Sequence, residues 1–326
     1  MGLRGETILS GLVMILCLSL HSKAQLQEGF YNDKCPLAET IVREEVVKAV
    51  SKDVGLAAGL IRLFFHDCFV GGCEGSVMID STPLNKAEKD SPINNPSLRG
   101  FEIIDSAKTR LEAKCKGVVS CADILAFAAR DGVALTGGFD YNVPAGRRDG
   151  RVSLLSETFK HLPPPFFNVD QLTQSFANKG FTQDEMVTLS GAHTLGRSHC
   201  SSFSNRLYNF SATSATDPSL DPAYAEQLKQ QCPKESTDAS LVVLMDPRTP
   251  NFFDASYYSN ILRNRGLFTS DQTLISNPTT ASYVRRNAFL GFVFRKKFAN
   301  AMVKMGNVGV LTGSNGEIRL NCRVIN

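Results

Sequence analysis

Two of the five histidines in this sequence stand where an imidazole can do chemistry. His66 lies in Arg62-Leu63-Phe64-Phe65-His66-Asp67-Cys68, a stretch of helical character. On a helix, positions four apart share a face and the next residue turns away by roughly 100°. Arg62 and His66 therefore point together, Phe65 lines the same pocket, and Asp67 points elsewhere. A permanent cation beside a titratable base suits a reaction that takes a proton from one atom while negative charge builds on its neighbour. The plain alternative, a structural arginine beside a hydrogen-bonded core histidine, fits this stretch equally well. His193 lies in Leu189-Ser190-Gly191-Ala192-His193-Thr194-Leu195-Gly196, where small residues leave room for a bulky planar group beside the ring. A lone histidine of this kind is more often a packed core residue than a metal ligand.

Two shared features shift that balance. Each histidine is followed at once by an oxygen-bearing residue, Asp67 or Thr194, and each has further oxygen donors downstream. Glu74 and Ser76 follow the first, while Asp246, Thr249 and Asp254 are available to the second. Calcium takes about six to eight oxygen ligands, carbonyls among them, so two calcium sites would hold the two histidines in place. On spacing alone, residues 246–254 read more simply as a polar loop.

Composition narrows what surrounds these residues. At about 150 residues per domain, 326 residues make two compact lobes or one large domain. A hydrophobic content of 43%, a charged content of 21% and 14 prolines exclude a disordered chain and a fibre. A net charge of +3 with no basic block argues against nucleic-acid or polybasic membrane binding. No Gly-x-Ser-x-Gly elbow is present, which argues against a serine hydrolase.

The N-terminus decides which residues remain. Arg4 precedes a thirteen-residue apolar run from Ile8 to Leu20, and Ser22-Lys23-Ala24 follows. This reads as a secretory signal over residues 1–24, cleaved after Ala24, because the run falls short of the roughly 20 residues of a spanning helix. Cleavage removes Cys17 and His21, leaving eight cysteines and four histidines in residues 25–326. An even cysteine count in a secreted chain favours disulfides over zinc thiolates or a catalytic thiol. Cys68 and Cys73 are nearly forced to pair, since Gly71 and Gly72 between them let the chain fold back, while the other pairings stay open. Asn209-Phe210-Ser211 makes Asn209 a glycosylation candidate.

The elements that must position these groups are mainly helices. Leu37, Ile41, Val42, Val46 and Val50 recur at helical spacing after Pro36, as do Ile103, Ile104, Ala107 and Leu111 before Cys115. Helical patterns also cover 55–69, 122–130, 169–178, 194–207, 223–231, 257–263 and 292–305. Short extended pieces are expected near Tyr141-Asn142-Val143. Irregular stretches fall at 81–98, 160–167 and 209–222, and the middle one, with Pro163-Pro164-Pro165, divides two lobes.

Taken together, these residues resemble the class III secretory plant peroxidases, which are haem enzymes, over Gln25 to Asn326. The likeness rests on the two histidine motifs, on Gly146-Arg147-Arg148-Asp149, on Arg319-Leu320-Asn321-Cys322 and on the eight cysteines. It implies an all-α haem peroxidase fold in which two helical lobes enclose haem b, with four disulfides and minor short strands. The implied pairs are Cys35 with Cys115, Cys68 with Cys73, Cys121 with Cys322, and Cys200 with Cys232. They make residues 25–326 one unit rather than two domains.

The same resemblance implies roles. His193 would ligate the haem iron, with Asp271 accepting its other ring proton, and Phe65 would line the haem pocket. His66 would be the acid/base and Arg62 the stabiliser of the transition state, with Asn94 keeping the imidazole basic. Pro163 would bind donors through its carbonyl. A distal Ca2+ would be held by Asp67, the Val70 and Gly72 carbonyls, Glu74 and Ser76. A proximal one would be held by Thr194, Asp246, Thr249, the Phe252 carbonyl and Asp254. Glu88 would link the distal calcium shell to the distal helix through water. His161 and His199 take no catalytic role. The activity implied is reduction of hydrogen peroxide with one-electron oxidation of phenolic donors, serving lignification, wall cross-linking, oxidative stress or defence. The alternative is a non-enzymatic calcium- or wall-polysaccharide-binding protein on the same scaffold. A monomer without membrane attachment after processing is expected. The chain ends four residues after Cys322, which favours the apoplast or cell wall. Three residues depart from the family pattern: Glu74 stands where aspartate is usual, Tyr141 where a tryptophan is usual, and Met245 at a position beside the proximal imidazole often held by another apolar or aromatic residue.

Overall fold

The computed structural model describes residues 25–326. The signal assigned to residues 1–24, with Cys17 and His21, lies outside the described residues. Helices account for most of the architecture. The first half holds α1 (Ala38–Val50), α2 (Leu56–Val70), α3 (Phe101–Lys114), α4 (Cys121–Leu135) and α5 (Leu155–His161). The second holds α6 (Val169–Ala177), α7 (Gln183–Ser190), α8 (Ser204–Tyr208), α9 (Pro222–Gln231), α10 (Ser256–Ile261), α11 (Thr269–Gln272), α12 (Pro278–Phe289) and α13 (Gly291–Met305).

Helix α4 is buried from Cys121 to Val133 and forms the axis on which α1, α2 and α3 pack. Its buried charges are paired, Arg130 with Asp131 and Asp123 with Arg147, and the Ser120 side chain starts the helix by accepting from the Asp123 amide at 3.1 Å. Helix α2 is buried too, except for Leu56 and a stripe of half-buried residues, Ala58, Arg62 and Phe65. That stripe has helical spacing, so a single face of α2 is left partly open. One cluster of buried residues runs from Tyr31 to Cys322 through both halves of the chain. A smaller one gathers Phe203, Leu207, Tyr224, Leu228, Val243, Met245 and Leu267.

The fold departs from the sequence reading between residues 194 and 207. In place of a continuous helix there is a 3₁₀ turn, Gly191–Thr194, then strand β1 (Arg197–His199), then the short α8. Strand β1 pairs antiparallel with β2 (Val242–Leu244), setting His199 opposite Val242. Gly196 breaks the helix: its φ is +92°, and a Cβ there would lie 2.9 Å from the Ala58 Cβ on α2. Left-handed backbone at a close approach is glycine's particular capacity. No strand forms at Tyr141–Val143; the nearest pairing is a single bridge between Gln27 and Ala145. Helices α5, α7 and α12 form where no periodic pattern stood out.

Covalent and ionic ties close the unit. The disulfides are Cys35–Cys115, Cys68–Cys73, Cys121–Cys322 and Cys200–Cys232. The third spans 201 residues, a loop whose closure contributes about 5 kcal/mol on chain-entropy grounds. Within the Gly146–Asp149 and Arg319–Cys322 motifs, Arg147, Asp149, Arg319 and Cys322 are buried scaffold. Arg147 pairs with Asp123 at 2.7 Å and donates to the Gly306 carbonyl at 2.6 Å. Asp149 accepts from the Ala122 and Arg319 amides, both at 2.9 Å. Arg319 in turn donates to the Gly75 carbonyl at 2.6 Å, which anchors the loop after Cys73.

Candidate active site

The open stripe of α2 carries the first half of the site. His66 is buried, and its Nδ1 lies 2.7 Å from Asn94 Oδ1. The Asn94 amide nitrogen is committed to the Glu88 carbonyl at 2.7 Å. The amide therefore offers His66 an acceptor, which puts the ring proton on Nδ1 and the lone pair on Nε2. Burial, reinforced by the Arg62 charge, holds the His66 pKa well below the usual imidazole value against the opposing pull of Asn94. Arg62 lies one turn earlier, held by the Ser97 hydroxyl at 3.0 Å and the Ile93 carbonyl at 3.1 Å. Burial, and next the charge of Arg99, bring Arg62 down to about 10, so it stays cationic at neutral pH. Among the described residues no carboxylate pairs with it. A cation without a counter-ion and a neutral base thus face the same way. Phe65 completes the stripe, packed on Phe69 at 4.1 Å between centroids.

The 3₁₀ turn carries the second half. His193 Nδ1 lies 2.7 Å from Asp271 Oδ1 on α11. Asp271 is buried and also accepts from the Tyr257 hydroxyl and the Phe268 amide, both at 2.9 Å. Three donors on one carboxylate fix its position. Burial first, and then Asp271, drive the Tyr257 pKa well above the ordinary phenol value, so its hydroxyl stays a donor. Tyr257 and Phe268 present ring edges to the imidazole at 5.9 and 5.4 Å. The His193 side chain is 39% exposed, and with Nδ1 occupied its Nε2 is left to coordinate. Gly196, three residues on, touches Ala58, two turns before His66 on the stripe of α2. That contact sets the turn of His193 against the face of α2 that carries Ala58 and the half-buried Arg62 and Phe65. A flat, largely apolar group with a metal centre fits these residues.

The two oxygen-rich loops differ in how they are satisfied. On the first side Asp67 is fully buried and accepts from the Gly75 amide at 2.9 Å. Burial, with Glu74 adding to it, pushes Asp67 up to about 8. Burial and Asp67 push Glu88 up to about 8, and burial raises Glu74. Ser76 Oγ and Glu88 Oε2 are buried without any hydrogen-bond partner. Crowded acids beside unsatisfied oxygens suit a bound cation. The Val70 carbonyl accepts from Lys179 Nζ at 3.3 Å, a contact the sequence did not suggest. On the second side the carboxylates are already bonded, within the loop and to the elements around it. Thr194 donates to Asp254 at 3.2 Å, Thr249 to Asp246 at 3.1 Å, and Asn260 to Asp246 at 3.1 Å. Among the described residues no three His, Cys, Asp or Glu side chains gather as a metal cluster. Each expected calcium set has two carboxylates, with carbonyls and hydroxyls supplying the rest.

Other expected residues lie further out. Pro163 is half-buried just past α5, in the segment whose Pro165 carbonyl accepts from the Ser270 amide at 2.9 Å, next to Asp271. His161 lies 3.2 Å from Glu157, and His199 lies 3.0 Å from the Ala239 carbonyl beside Cys200. Asn209 is exposed at the end of α8. Sequence reasoning missed Tyr257, Ser97, Ile93 and Lys179. A tyrosine fourteen residues from its acceptor, or a backbone carbonyl, leaves no mark in a motif.

Known proteins similar to this chain agree with one another. A family model described as Peroxidase matches residues 42–289. Peroxidase 5 of Vitis vinifera is 67% identical over 318 residues, covering 98% of this chain and 97% of its own. Peroxidase 1 of Zea mays is 50% identical over 325 residues, covering 98% and 88%. Peroxidase 39 of Arabidopsis thaliana is 47% identical over 324 residues, covering 97% and 99%.

Proposed function

The chain belongs to the peroxidase family, as a class III plant haem peroxidase acting on hydrogen peroxide, and on that premise we propose how its residues divide the work. His193 would hold the haem iron through Nε2, and Asp271, by accepting the Nδ1 proton, makes that imidazole a stronger donor. The haem, when bound, supplies the iron that accepts oxidising equivalents from peroxide and returns them one electron at a time. His66 Nε2 takes a proton from hydrogen peroxide and gives it to the departing oxygen, which leaves as water. Arg62 stabilises negative charge on that oxygen as the O–O bond breaks. Asn94 keeps Nε2 free for this proton by fixing Nδ1 as the donor.

Two phenolic donors then each lose one electron and one proton, so that one peroxide and two phenols yield two waters and two phenoxyl radicals. The Pro163 carbonyl would bind those phenols. One Ca2+ would be held by Asp67, Glu74, Ser76 and the Val70 and Gly72 carbonyls, with Glu88 linking that shell to the distal helix. The other would be held by Thr194, Asp246, Thr249, Asp254 and the Phe252 carbonyl. The protein is secreted to the apoplast or cell wall as a monomer, glycosylated at Asn209, and its phenoxyl radicals serve wall cross-linking, lignification or defence. Among the described residues no helix is long and apolar enough to cross a membrane.

The observation that carries this reading is the relay from Glu88 through Asn94 to His66, beside a cation with no counter-ion. Stopped-flow reaction of the His66→Leu holoenzyme with hydrogen peroxide tests it. The rate should fall about 10²- to 10⁴-fold with the Soret band retained. A wild-type rate would falsify the acid/base role of His66.

A further inference from the structure

Glu74 occupies space that belongs to another residue. A Cβ built on Gly150 would coincide with Glu74 Oε2, and a Cβ on Gly71 would come within 2.9 Å of Glu74 Oε1. The Glu74 carboxylate is thus seated in a slot between two glycines. Gly71 lies in the same loop, but Gly150 comes from a distant strand of chain, and its amide donates to the Glu74 carbonyl at 2.8 Å. Nothing in the backbone of Gly150 requires glycine, because it is not among the residues with positive φ. Only the space its missing side chain leaves is used.

We propose that Gly150 is a positioning residue for the distal calcium: a glutamate at position 74 can serve that site only while residue 150 has no side chain. This rests on the calcium reading above. Any side chain at 150 displaces the carboxylate, and the displaced end has somewhere to go. Glu74 already lines a cavity of about 340 Å³ bordered by Val70, Gly71 and Glu88 of the same site and by Val152, Leu154 and Leu311. The clashing atom is the tip of a flexible side chain, so the fold survives while the carboxylate is forced out of its slot. An aspartate at 74 is one methylene shorter and stops before the slot. It therefore tolerates alanine at 150 where glutamate does not.

The test measures calcium per protein, by atomic emission after gel filtration, on the full-length holoenzyme and its variants. Wild type should carry two ions. Asp67→Asn and Gly150→Ala should each carry one, with the Gly150→Ala melting temperature in EGTA close to that of wild type in EGTA. The double variant Glu74→Asp/Gly150→Ala should return to two. Two ions in Gly150→Ala alongside one in Asp67→Asn would overturn the inference and leave the calcium reading standing, as would a double variant that keeps only one. If Asp67→Asn removes no calcium, the calcium reading fails and the inference goes with it.

Discussion

The two site histidines are held alike and charged differently. Each has its Nδ1 at 2.7 Å from a side-chain oxygen, an amide for His66 and a carboxylate for His193. Distance and geometry do not separate their roles; the charge of the partner does. A carboxylate with three donors draws proton density from His193 and leaves Nε2 electron-rich, which suits a metal ligand. A neutral amide orients His66 without adding charge, and burial with Arg62 nearby keeps that ring unprotonated, which suits a base that gives its proton back. The supports follow the same division. His66 rides a long buried helix beside a cation, while His193 sits on a short turn whose entry and exit depend on Gly191 and Gly196.

Weakening the charged side should have the largest effect among changes to these supports. Asp271→Asn keeps the shape and removes the charge, so haem should be held about 10- to 100-fold less tightly. The iron reduction potential should rise, because the oxidised metal loses its donor. Spectroelectrochemistry against the His66→Leu protein checks this, since the distal change should leave the potential near wild type; equal shifts in both would erase the distinction. A smaller effect is expected in the oxygen-rich loops. Stripping calcium with EGTA should cost residues 71–78 their amide-exchange protection, because Asp67, Glu74 and Glu88 then face one another uncompensated. Residues 246–254 should lose less, since Asp246 and Asp254 already accept from Thr249, Asn260 and the Ser256 amide. Exchange followed by mass spectrometry reads both segments at once, and equal loss would contradict the contrast.

Much of the distal half was legible in the sequence because it lies on one helix. The four-residue spacing of Arg62 and His66 translates directly into a shared face. The proximal half was less so. Around His193 the apolar pattern continued to residue 207, and only the left-handed backbone of Gly196, imposed by contact with Ala58, shows why the helix stops. Helices α7 and α12 went unread despite clear starts: Thr182 and Glu185 form a capping box, and Asn277 caps a helix with Pro278 in its first turn. Tyr257 and the Ile93 carbonyl acquire their roles only when the chain brings distant segments together. The cysteine pairs and the calcium sets came from family resemblance; spacing alone pointed only to Cys68 with Cys73.

The charge of the Nδ1 partner can be exchanged on the distal side. The measurement is the bimolecular rate of the holoenzyme with hydrogen peroxide as a function of pH, in wild type, Asn94→Val and Asn94→Asp. In wild type His66 is the base in its neutral form, so the rate should hold well below pH 6.5, the usual imidazole value, and fall only where His66 protonates. A carboxylate at 94 favours the imidazolium, so the acid limb should move to higher pH, while valine should move it lower, with haem bound in all three. Limbs that coincide, or that move in the same direction, would contradict the claim that partner charge sets the roles of the two histidines.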